Sequence, residues 1–431
     1  MEPTRTIQVQ LLTRVEGEGA LFVRLRNNIV EDVRLQIYEP PRFFEAFLCG
    51  RALEEIPDIT ARICGICPVA YQMSSVHALE AALGIVISPE IRRLRRLLYC
   101  GEWIESHALH VHLLHAPDFL GYESGIAMAQ DHKLEVARGL RLKKHGNQLL
   151  DVLGGRAIHP VNVCVGGFYR APRREDLAAL IPDFEWGLEA AMAATRWVAG
   201  FDFPAFSQPC ELVAVVHPDE YAMNEGRVTS SLGHSWPVDE YETAFAEEHV
   251  AHSTALQSRR VPGGTSYLTG PLARIHLSRG QLSPAARRLA DEVKFESPCQ
   301  NPFKAIIARG LELVHAFEVA LEILKTYRPP VPSRIPYLHR QGSGRAATEA
   351  PRGLLYNRYT VDATGQVTAS RIVPPTAQNQ RQIEQDLRDH LPRLIHGSDA
   401  EIARGCERLV RSYDPCISCS THFLQLKLER A

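Results

Sequence analysis

Arg62-Ile63-Cys64-Gly65-Ile66-Cys67 near the start of the chain and Asp414-Pro415-Cys416-Ile417-Ser418-Cys419 near its end decide how this protein folds. Each stretch contains a Cys-x-x-Cys pair, which can direct two sulfurs at one metal ion, and soft metals prefer several thiolates at once. A single pair is equally compatible with half of a zinc site, a redox dithiol or chance. Two pairs favour one shared site, so the fold has to bring the two ends together.

The separation of the pairs indicates which kind of metal site to expect. Zinc ribbons usually keep their two pairs within about 15 to 20 residues of each other, because the metal folds a small module. Here almost the whole chain lies between them, so the scaffold has to fold largely without the metal. This arrangement suits a catalytic centre better than a structural clip, and the weakly charged flanks predict that the site is buried.

At these residues the chain resembles the large, catalytic subunit of nickel-iron hydrogenases. Both Cys-x-x-Cys stretches are similar to that family's signatures. Other matching blocks follow in the family's order: Arg14-Val15-Glu16-Gly17, Arg42-Phe43-Phe44-Glu45, Glu349-Ala350-Pro351-Arg352-Gly353 and Val373-Pro374-Pro375-Thr376. The stretch Cys67-Pro68-Val69-Ala70-Tyr71-Gln72-Met73 and the short chain most resemble the cytosolic, bidirectional branch linked to NAD(P), which includes the sulfhydrogenases.

The resemblance implies a nickel ion held by four cysteines and an iron ion with carbonyl and cyanide ligands. Cys67 and Cys419 would bridge the two metals, while Cys64 and Cys416 would bind nickel alone, with Cys416 the first choice to accept a proton. Thiolates suit this role because soft sulfur stabilises the higher oxidation states of nickel.

A second metal site is also implied by the resemblance. Glu45 and His422 match ligands of a separate magnesium or iron ion near the C-terminus, and a carboxylate with an imidazole and waters fits either ion.

Glu16 matches the carboxylate through which family members pass protons outward. A buried glutamate beside thiolates should have a raised pKa, so that it both takes and gives a proton near neutrality. Without the resemblance, a turn glutamate paired with Arg14 would be the preferred interpretation.

Several residues would surround the iron ligands. Arg352 matches the arginine over the open side of the centre, where its fork of donors suits anionic acceptors, although composition alone makes it a loop arginine. Asp414 would lie beside it, and Pro351 and Thr376 would line the pocket of the diatomic ligands.

Three departures from the family pattern stand out. Tyr71 replaces a histidine that bonds to a bridging sulfur in many relatives, and Ser106 replaces an aspartate over the active site. Family precursors are commonly cut after the residue matching His422, yet Phe423–Ala431 follow it here. Either the cut falls elsewhere, the chain is a precursor that meets a maturation endopeptidase, or no cut is needed.

Composition limits the partners. The formal charge of the 431-residue chain is −2 and no long basic run occurs, so neither nucleic acid nor an anionic membrane is expected to bind. No apolar window is long enough to span a bilayer and no signal peptide is evident, which predicts a cytoplasmic protein without membrane insertion. The ten cysteines should then be thiols or metal ligands, not disulfides.

No ligand set for a second cluster is evident in the sequence. By resemblance, electrons would therefore pass to an iron-sulfur small subunit, and on to flavin and NAD(P) on diaphorase subunits.

The hydrophobic pattern predicts an α+β fold, mainly α, in which a long-helix bundle carries a small antiparallel sheet at the N-terminus, as in the hydrogenase large subunit. We expect a single domain, 1–431. It would comprise the sheet (1–40), a mainly helical part (42–326), an irregular active-site segment (327–376) and a C-terminal segment with the second cysteine pair (377–431). Helices are expected at 68–83, 89–115, 129–152, 173–199, 238–258, 284–296 and 303–326.

Two motifs are set aside. Gly342-Ser343-Gly344 imitates a dinucleotide fingerprint, but no apolar strand precedes it and Pro351 blocks a long helix after it. Four histidines between His107 and His115 suggest a metal box, yet no acid or cysteine completes a set, so core or proton-relay roles are favoured.

Rival functions of other classes remain. A non-catalytic subunit of a quinone-reductase complex would have lost the cysteines, and a zinc-stapled protein would bind zinc alone. Within the hydrogenases, deazaflavin-linked and heterodisulfide-linked branches compete with the NAD(P)-linked one.

Overall fold

The computed structural model describes residues 4–40 and 42–421, and the tail from His422 onward lies outside them. The α-helices are α1 (Phe44–Leu48), α2 (Ile56–Thr60), α3 (Pro68–Leu83), α4 (Pro89–Leu109), α5 (Ala116–Leu120), α6 (Gly125–Met128), α7 (Lys133–Gly154), α8 (Arg174–Ala178), α9 (Ile181–Ala199), α10 (Tyr241–Ala244), α11 (Pro271–Ser278), α12 (Pro284–Glu292), α13 (Ala305–Thr326), α14 (Pro375–His390) and α15 (Asp399–Ser412). The strands are β1 (Thr4–Val9), β2 (Gly19–Arg26), β3 (Ile29–Ile37), β4 (Val163–Cys164), β5 (Gly167–Phe168), β6 (Val213–Val216), β7 (Arg227–Ser230), β8 (Ser235–Trp236), β9 (Phe245–Glu248), β10 (Gln257–Arg260), β11 (Gly342–Ala350), β12 (Gly353–Val361) and β13 (Val367–Val373).

The N-terminal antiparallel sheet is confirmed, with strand order β1-β2-β3. Leu21, Val23 and Leu25 alternate along β2 and are buried, which explains why the period-two pattern was readable. Asn27 and Asn28 form the turn between β2 and β3 with φ angles of 51° and 59°, a backbone that asparagine tolerates well.

The central bundle packs α4 against α7 and α13, and α13 against α9. Glycines set the closest approach between α4 and α7. A Cβ atom built at Gly146 of α7 would meet the carbonyl oxygen of Gly101 in α4 at 2.7 Å. The long helix expected at 89–115 is α4 followed by a π-helical turn at His110–His115, where the described helices reach their most histidine-rich stretch.

The segment 327–376, which we expected to be irregular, contains a three-stranded antiparallel sheet, β11-β12-β13. None of its three strands was expected, and the first gives little strand signal because small residues replace the usual β-branched ones. A Cβ atom at Gly344 would lie 2.1 Å from the carbonyl oxygen of Ala78 in α3, so glycine is needed where this strand crosses the helix. The imitation of a dinucleotide fingerprint thus lies inside β11, and β12 follows it in place of a helix.

The expected helix at 238–258 is wrong. That stretch holds a 3-10 turn (Val238–Glu240), the short helix α10 and the strand β9, which pairs with β10. Tyr241 stacks on Tyr356 of β12, with 4.1 Å between ring centroids. Packing of aromatic rings against the second sheet therefore overrides the local helical pattern. Within the described residues, no helix is both long and apolar enough to cross a membrane.

Candidate metal centre

The structure brings the four predicted cysteines together in one buried cluster. Cys64 follows a 3-10 turn and Cys67 stands at the N-cap of α3, while Cys416 and Cys419 belong to the segment after α15. The sulfur of Cys64 lies 3.5 Å from that of Cys416, and the sulfur of Cys67 lies 3.8 Å from that of Cys419. All four sulfurs lie within 4.8 Å of one another, which is the spacing that one metal site requires.

Main-chain contacts join the two ends of the chain around this cluster. The segment at Glu16 pairs with Cys416 in a short parallel bridge, and the amide of Ile417 donates to the carbonyl oxygen of Glu16 at 2.9 Å. Arg42 donates from one guanidinium nitrogen to the carbonyl oxygens of both Ile63 and Ser418. The two cysteine pairs are thereby held together by protein contacts alone, as a preformed metal site demands.

The pKa values of the clustered thiols differ from one another. Burial raises the pKa of Cys64, but hydrogen bonds from the other three cysteines and the charge of Arg352 outweigh it, so the pKa lies well below that of an ordinary thiol. Burial and the neighbouring sulfurs raise the pKa of Cys416. A bound cation would remove this difference, because a coordinated thiol is deprotonated outright.

Glu16 contacts the cluster directly. Its Oε2 accepts hydrogen bonds from the Cys416 thiol and from the Ser418 amide, each at 3.1 Å. Burial, followed by the charge of Cys64, raises the pKa of Glu16, as the sequence predicted. Arg14 does not pair with it but with Asp118, at 2.6 Å, so the alternative of a turn ion pair is wrong.

Arg352 lies in the two-residue turn between β11 and β12, with only 3% of its surface exposed. Its Nε donates to the carbonyl oxygen of Asp414 at 2.8 Å, and one terminal nitrogen donates to the Asp414 carboxylate at 3.1 Å. The other terminal nitrogen, Nη1, is buried without a hydrogen-bond partner. A buried cationic donor without a partner near four sulfurs indicates that an acceptor belongs there.

Thr376 begins the first turn of α14, and its hydroxyl oxygen accepts from the amide of Cys416 at 2.9 Å. It therefore orients the second cysteine pair. Pro351 precedes Arg352 in the turn between β11 and β12.

Glu45 lies on α1 with 1% exposure and accepts from the amide of Ile372 at 2.7 Å. The predicted second ligand, His422, lies outside the described residues. The amide of Arg42 nevertheless donates to the carbonyl oxygen of Thr421, which brings the end of the described chain beside α1.

The substitution at Tyr71 has a structural counterpart. Tyr71 is 1% exposed, and burial together with the charges of Cys419 and Cys67 raises its pKa, with a hydrogen bond to Cys419 adding to the shift. A phenol thus lies beside the sulfurs of Cys419 and Cys67.

The four histidines near the π-helical turn are buried and bond to protein groups. His107 contacts Glu312, and His110 contacts the carbonyl oxygen of Arg411. Neither of these two rings is hydrogen-bonded to a sulfur of the cysteine cluster.

Comparisons with known proteins agree with this geometry. Residues 42–138 match the family described as nickel-dependent hydrogenase. The chain is 34% identical over 424 residues to sulfhydrogenase 1 subunit alpha of Pyrococcus furiosus, covering 97% of this chain and 98% of that protein. This chain belongs to the nickel-dependent hydrogenase family. It is the catalytic large subunit of a nickel-iron hydrogenase, which confirms the function expected from the sequence.

Two further matches bear on branch and fold. The hydrogenase subunit is 25% identical over 477 residues to the NAD-reducing hydrogenase HoxS subunit beta of Cupriavidus necator, covering 98% of this chain and 95% of that protein. A crystal structure of an NAD+-reducing NiFe hydrogenase in the H2-reduced state superposes with a TM-score of 0.87 at 24% identity, covering 98% of this chain and all of that one. The predicted hydrogenase large-subunit fold is therefore confirmed.

Sequence reasoning missed several buried residues that support this hydrogenase site. Arg309 Nε lies 4.0 Å from the Asp414 carboxylate. Glu102 accepts from the first amides of α3, those of Val69 and Ala70, directly after Cys67. These residues carry no motif, and only an unusual density of charges in apolar helices could have flagged them.

Proposed function

We propose that Cys64, Cys67, Cys416 and Cys419 hold the nickel-iron centre of this hydrogenase, with Cys67 and Cys419 bridging the two metals. The single observation that carries the proposal is the convergence of four buried sulfurs from opposite ends of the chain. When bound, the centre supplies the heterolytic splitting and formation of dihydrogen. Soft thiolates in a buried site fit that group better than they fit a hard cation.

Cys416 and Glu16 would move the proton. The Cys416 thiol already donates to Glu16 Oε2, so a proton on this sulfur has an acceptor within hydrogen-bond reach. The raised pKa of Glu16 lets its carboxylate take that proton and release it again near neutral pH. Ser418, whose amide also bonds to Glu16, donates from its hydroxyl to the half-buried Glu39 at 3.0 Å. Glu39 is thus the next carboxylate outward.

Arg352 and its neighbours would hold the ligands of iron. The unpartnered Nη1 of Arg352 supplies a donor for cyanide, and Asp414 fixes the guanidinium from the other side. Pro351 and Thr376 would complete the pocket of carbonyl and cyanide. Main-chain groups hold two of these side chains, since Arg352 donates to the carbonyl oxygen of Asp414 and Thr376 accepts from the amide of Cys416, so this part of the pocket is formed before the ligands arrive.

Glu45 and His422 would bind a magnesium or iron ion that fastens the C-terminal tail. The support is the bond between Arg42 and Thr421, which brings the last described residue beside the helix that carries Glu45. A maturation endopeptidase would act at the same place. Its cut after His422 would release Phe423–Ala431 once the metals are bound.

Electrons would leave through an iron-sulfur small subunit and reach NAD(P) on flavin-containing diaphorase subunits. Across the described ranges, the four cysteines are the one group of three or more side chains that could hold a metal, so this part of the chain offers no relay of its own. The relative in Cupriavidus necator is named for NAD reduction, which favours that acceptor. A relative from Methanothermobacter marburgensis, named an F420-non-reducing hydrogenase, is 28% identical and keeps the alternative branch in view.

Infrared spectroscopy of the purified complex tests the centre. We expect absorption bands of metal-bound carbonyl and cyanide, in a region where protein groups do not absorb, together with about one nickel per catalytic subunit. A complex that contains zinc and lacks these bands would contradict the proposal.

A further inference from the structure

Five hydrogen bonds converge on one buried guanidinium near the proposed centre, that of Arg274 in α11. Arg274 is 1% exposed and donates from Nε and Nη2 to the two carboxylate oxygens of Glu312, each at 2.7 Å. Its Nη1 donates to Glu349 at 2.8 Å. These three bonds pair the one positive charge with two buried carboxyl groups.

The two remaining bonds of Arg274 have a different target. Nη1 donates to the carbonyl oxygen of Ala350 at 2.8 Å, and Nη2 donates to that of Pro351 at 2.9 Å. All five N–H groups of the guanidinium are thus used, and two of them hold the main chain directly before Arg352. A residue needed only to neutralise Glu312 and Glu349 would not have to reach these carbonyl oxygens.

Further contacts fix the Arg274 guanidinium and its partner Glu312 in place. Glu312 also accepts from the hydroxyl of Tyr221 at 2.7 Å and contacts a ring nitrogen of His107 at 2.9 Å. The guanidinium carbon lies 4.4 Å from the centre of the Trp103 ring. A fixed guanidinium transmits its position to the groups it bonds, in the way that supporting contacts orient metal ligands.

The backbone at the start of α11 also packs closely against the turn that carries Arg352. Gly270 precedes α11, and a Cβ atom there would lie 2.8 Å from the carbonyl oxygen of Arg352. A Cβ atom at Gly353 would lie 2.3 Å from the hydroxyl oxygen of Thr269. The turn is therefore packed against the start of α11 on one side and bonded to the Arg274 side chain on the other.

We propose that Arg274 is a positioning residue, which fixes Arg352 over the nickel-iron centre through the main chain of residues 350–353. The inference rests on the proposed role of Arg352 and adds to it the group that holds Arg352 in place. Arg274 touches neither substrate nor metal, so its whole effect on the reaction passes through Arg352.

The test is a double-mutant cycle in the purified complex with R274K, R352K and the double variant. Lysine keeps the charge of Arg274 but has three donors in place of five and no planar fork, so the turn loses bonds. We expect R274K to lower kcat per nickel by about 10²-fold, the cost of a misplacement of ~1 Å, with KM for the electron acceptor unchanged. The infrared bands of cyanide should shift. In the R352K background, R274K should cause no further loss of kcat.

Arg95 supplies the matched control. It is also buried and forms a bidentate pair with a glutamate, Glu80, at 2.6 and 2.8 Å, but it holds no part of the turn. R95K should lower thermal stability and leave kcat per nickel and the cyanide bands at their wild-type values.

The outcomes separate the two proposals. If R352K keeps wild-type kcat and bands, the proposed role of Arg352 fails. If R352K is impaired but R274K is not, or if the losses in the two variants multiply in the double variant, the positioning role of Arg274 is overturned. Should R274K fail to assemble, E312Q replaces it in the same cycle, since glutamine removes a charge-assisted bond to Arg274 and so loosens the guanidinium while keeping the arginine. Wild-type kcat and bands in E312Q would then overturn the inference.

Discussion

Replacement of Glu16 by glutamine is the sharpest test of the proton route. The side chain keeps its volume and one amide oxygen, so the bond from the Ser418 amide survives. It can no longer take a proton from Cys416, whose thiol lies 3.1 Å from the carboxylate. The metals should stay bound, because Glu16 is not among the four sulfur ligands of the proposed site.

The expected size of the effect follows from the contact. A side chain that transfers protons contributes about 10²- to 10⁴-fold to a rate, so E16Q should lower turnover by that factor. The shorter E16D variant retracts the carboxylate by about 1.5 Å, one carbon–carbon bond, which breaks direct contact but leaves room for one bridging water. We therefore expect E16D to lie between wild type and E16Q.

Two assays measure this loss: hydrogen-dependent reduction of an electron acceptor, and formation of HD from D2 in ordinary water. Both should fall in E16Q while nickel and iron per protein remain at wild-type values. The control is E18Q, the same change at an exposed glutamate two residues further on, which should behave like wild type. Wild-type turnover in E16Q would remove Glu16 from the route.

Three further predictions concern the metal, the fold and pH. C64A should abolish nickel binding, because it removes one of the clustered sulfurs, whereas C100A, at an isolated buried cysteine, should retain nickel in metal analysis. G344A should lower the free energy of unfolding by about 1–3 kcal/mol or more, since its Cβ atom meets the backbone of α3 at 2.1 Å, while G280A, with open space around it, should have little effect in denaturant titrations. Burial raises the pKa of Asp386 to about 7 in the folded state. Between the pKa of the unfolded chain and 7, the folded protein keeps a proton on Asp386 that the unfolded chain has lost. The free energy of unfolding therefore falls as pH rises through that range. D386N should flatten that part of the stability–pH curve, and an unchanged slope would contradict the assignment.

The sequence predicted that the four cysteines would come together, and the structure confirms this cluster. One Cys-x-x-Cys pair is ambiguous, but two pairs in one chain favour a shared site, so Cys64 and Cys416 could be matched without knowledge of the fold. The helix 68–83 was also predicted with its observed bounds, since Pro68 begins it and Gly84 ends it in the left-handed region. The raised pKa of Glu16 followed from burial beside sulfur.

Other features depend on contacts that a linear pattern does not contain. The strand β11 consists of small residues because it crosses α3 closely, and small residues give no strand signal. The stretch 238–258 has helical spacing, but stacking of Tyr241 on Tyr356 and pairing of β9 with β10 decide its structure. Arg274 was missed for the same reason. It stands far from every motif, and its five hydrogen bonds reach four residues in two separate parts of the chain, Glu312 and residues 349–351.

The central claim is that one nickel ion lies among four sulfurs drawn from both ends of the chain. X-ray diffraction of the purified complex at energies on either side of the nickel absorption edge tests it directly. We predict a single nickel peak in the anomalous difference map, surrounded by the sulfurs of Cys64, Cys67, Cys416 and Cys419. A nickel peak elsewhere, or a peak at this cluster that belongs to zinc, would contradict the account.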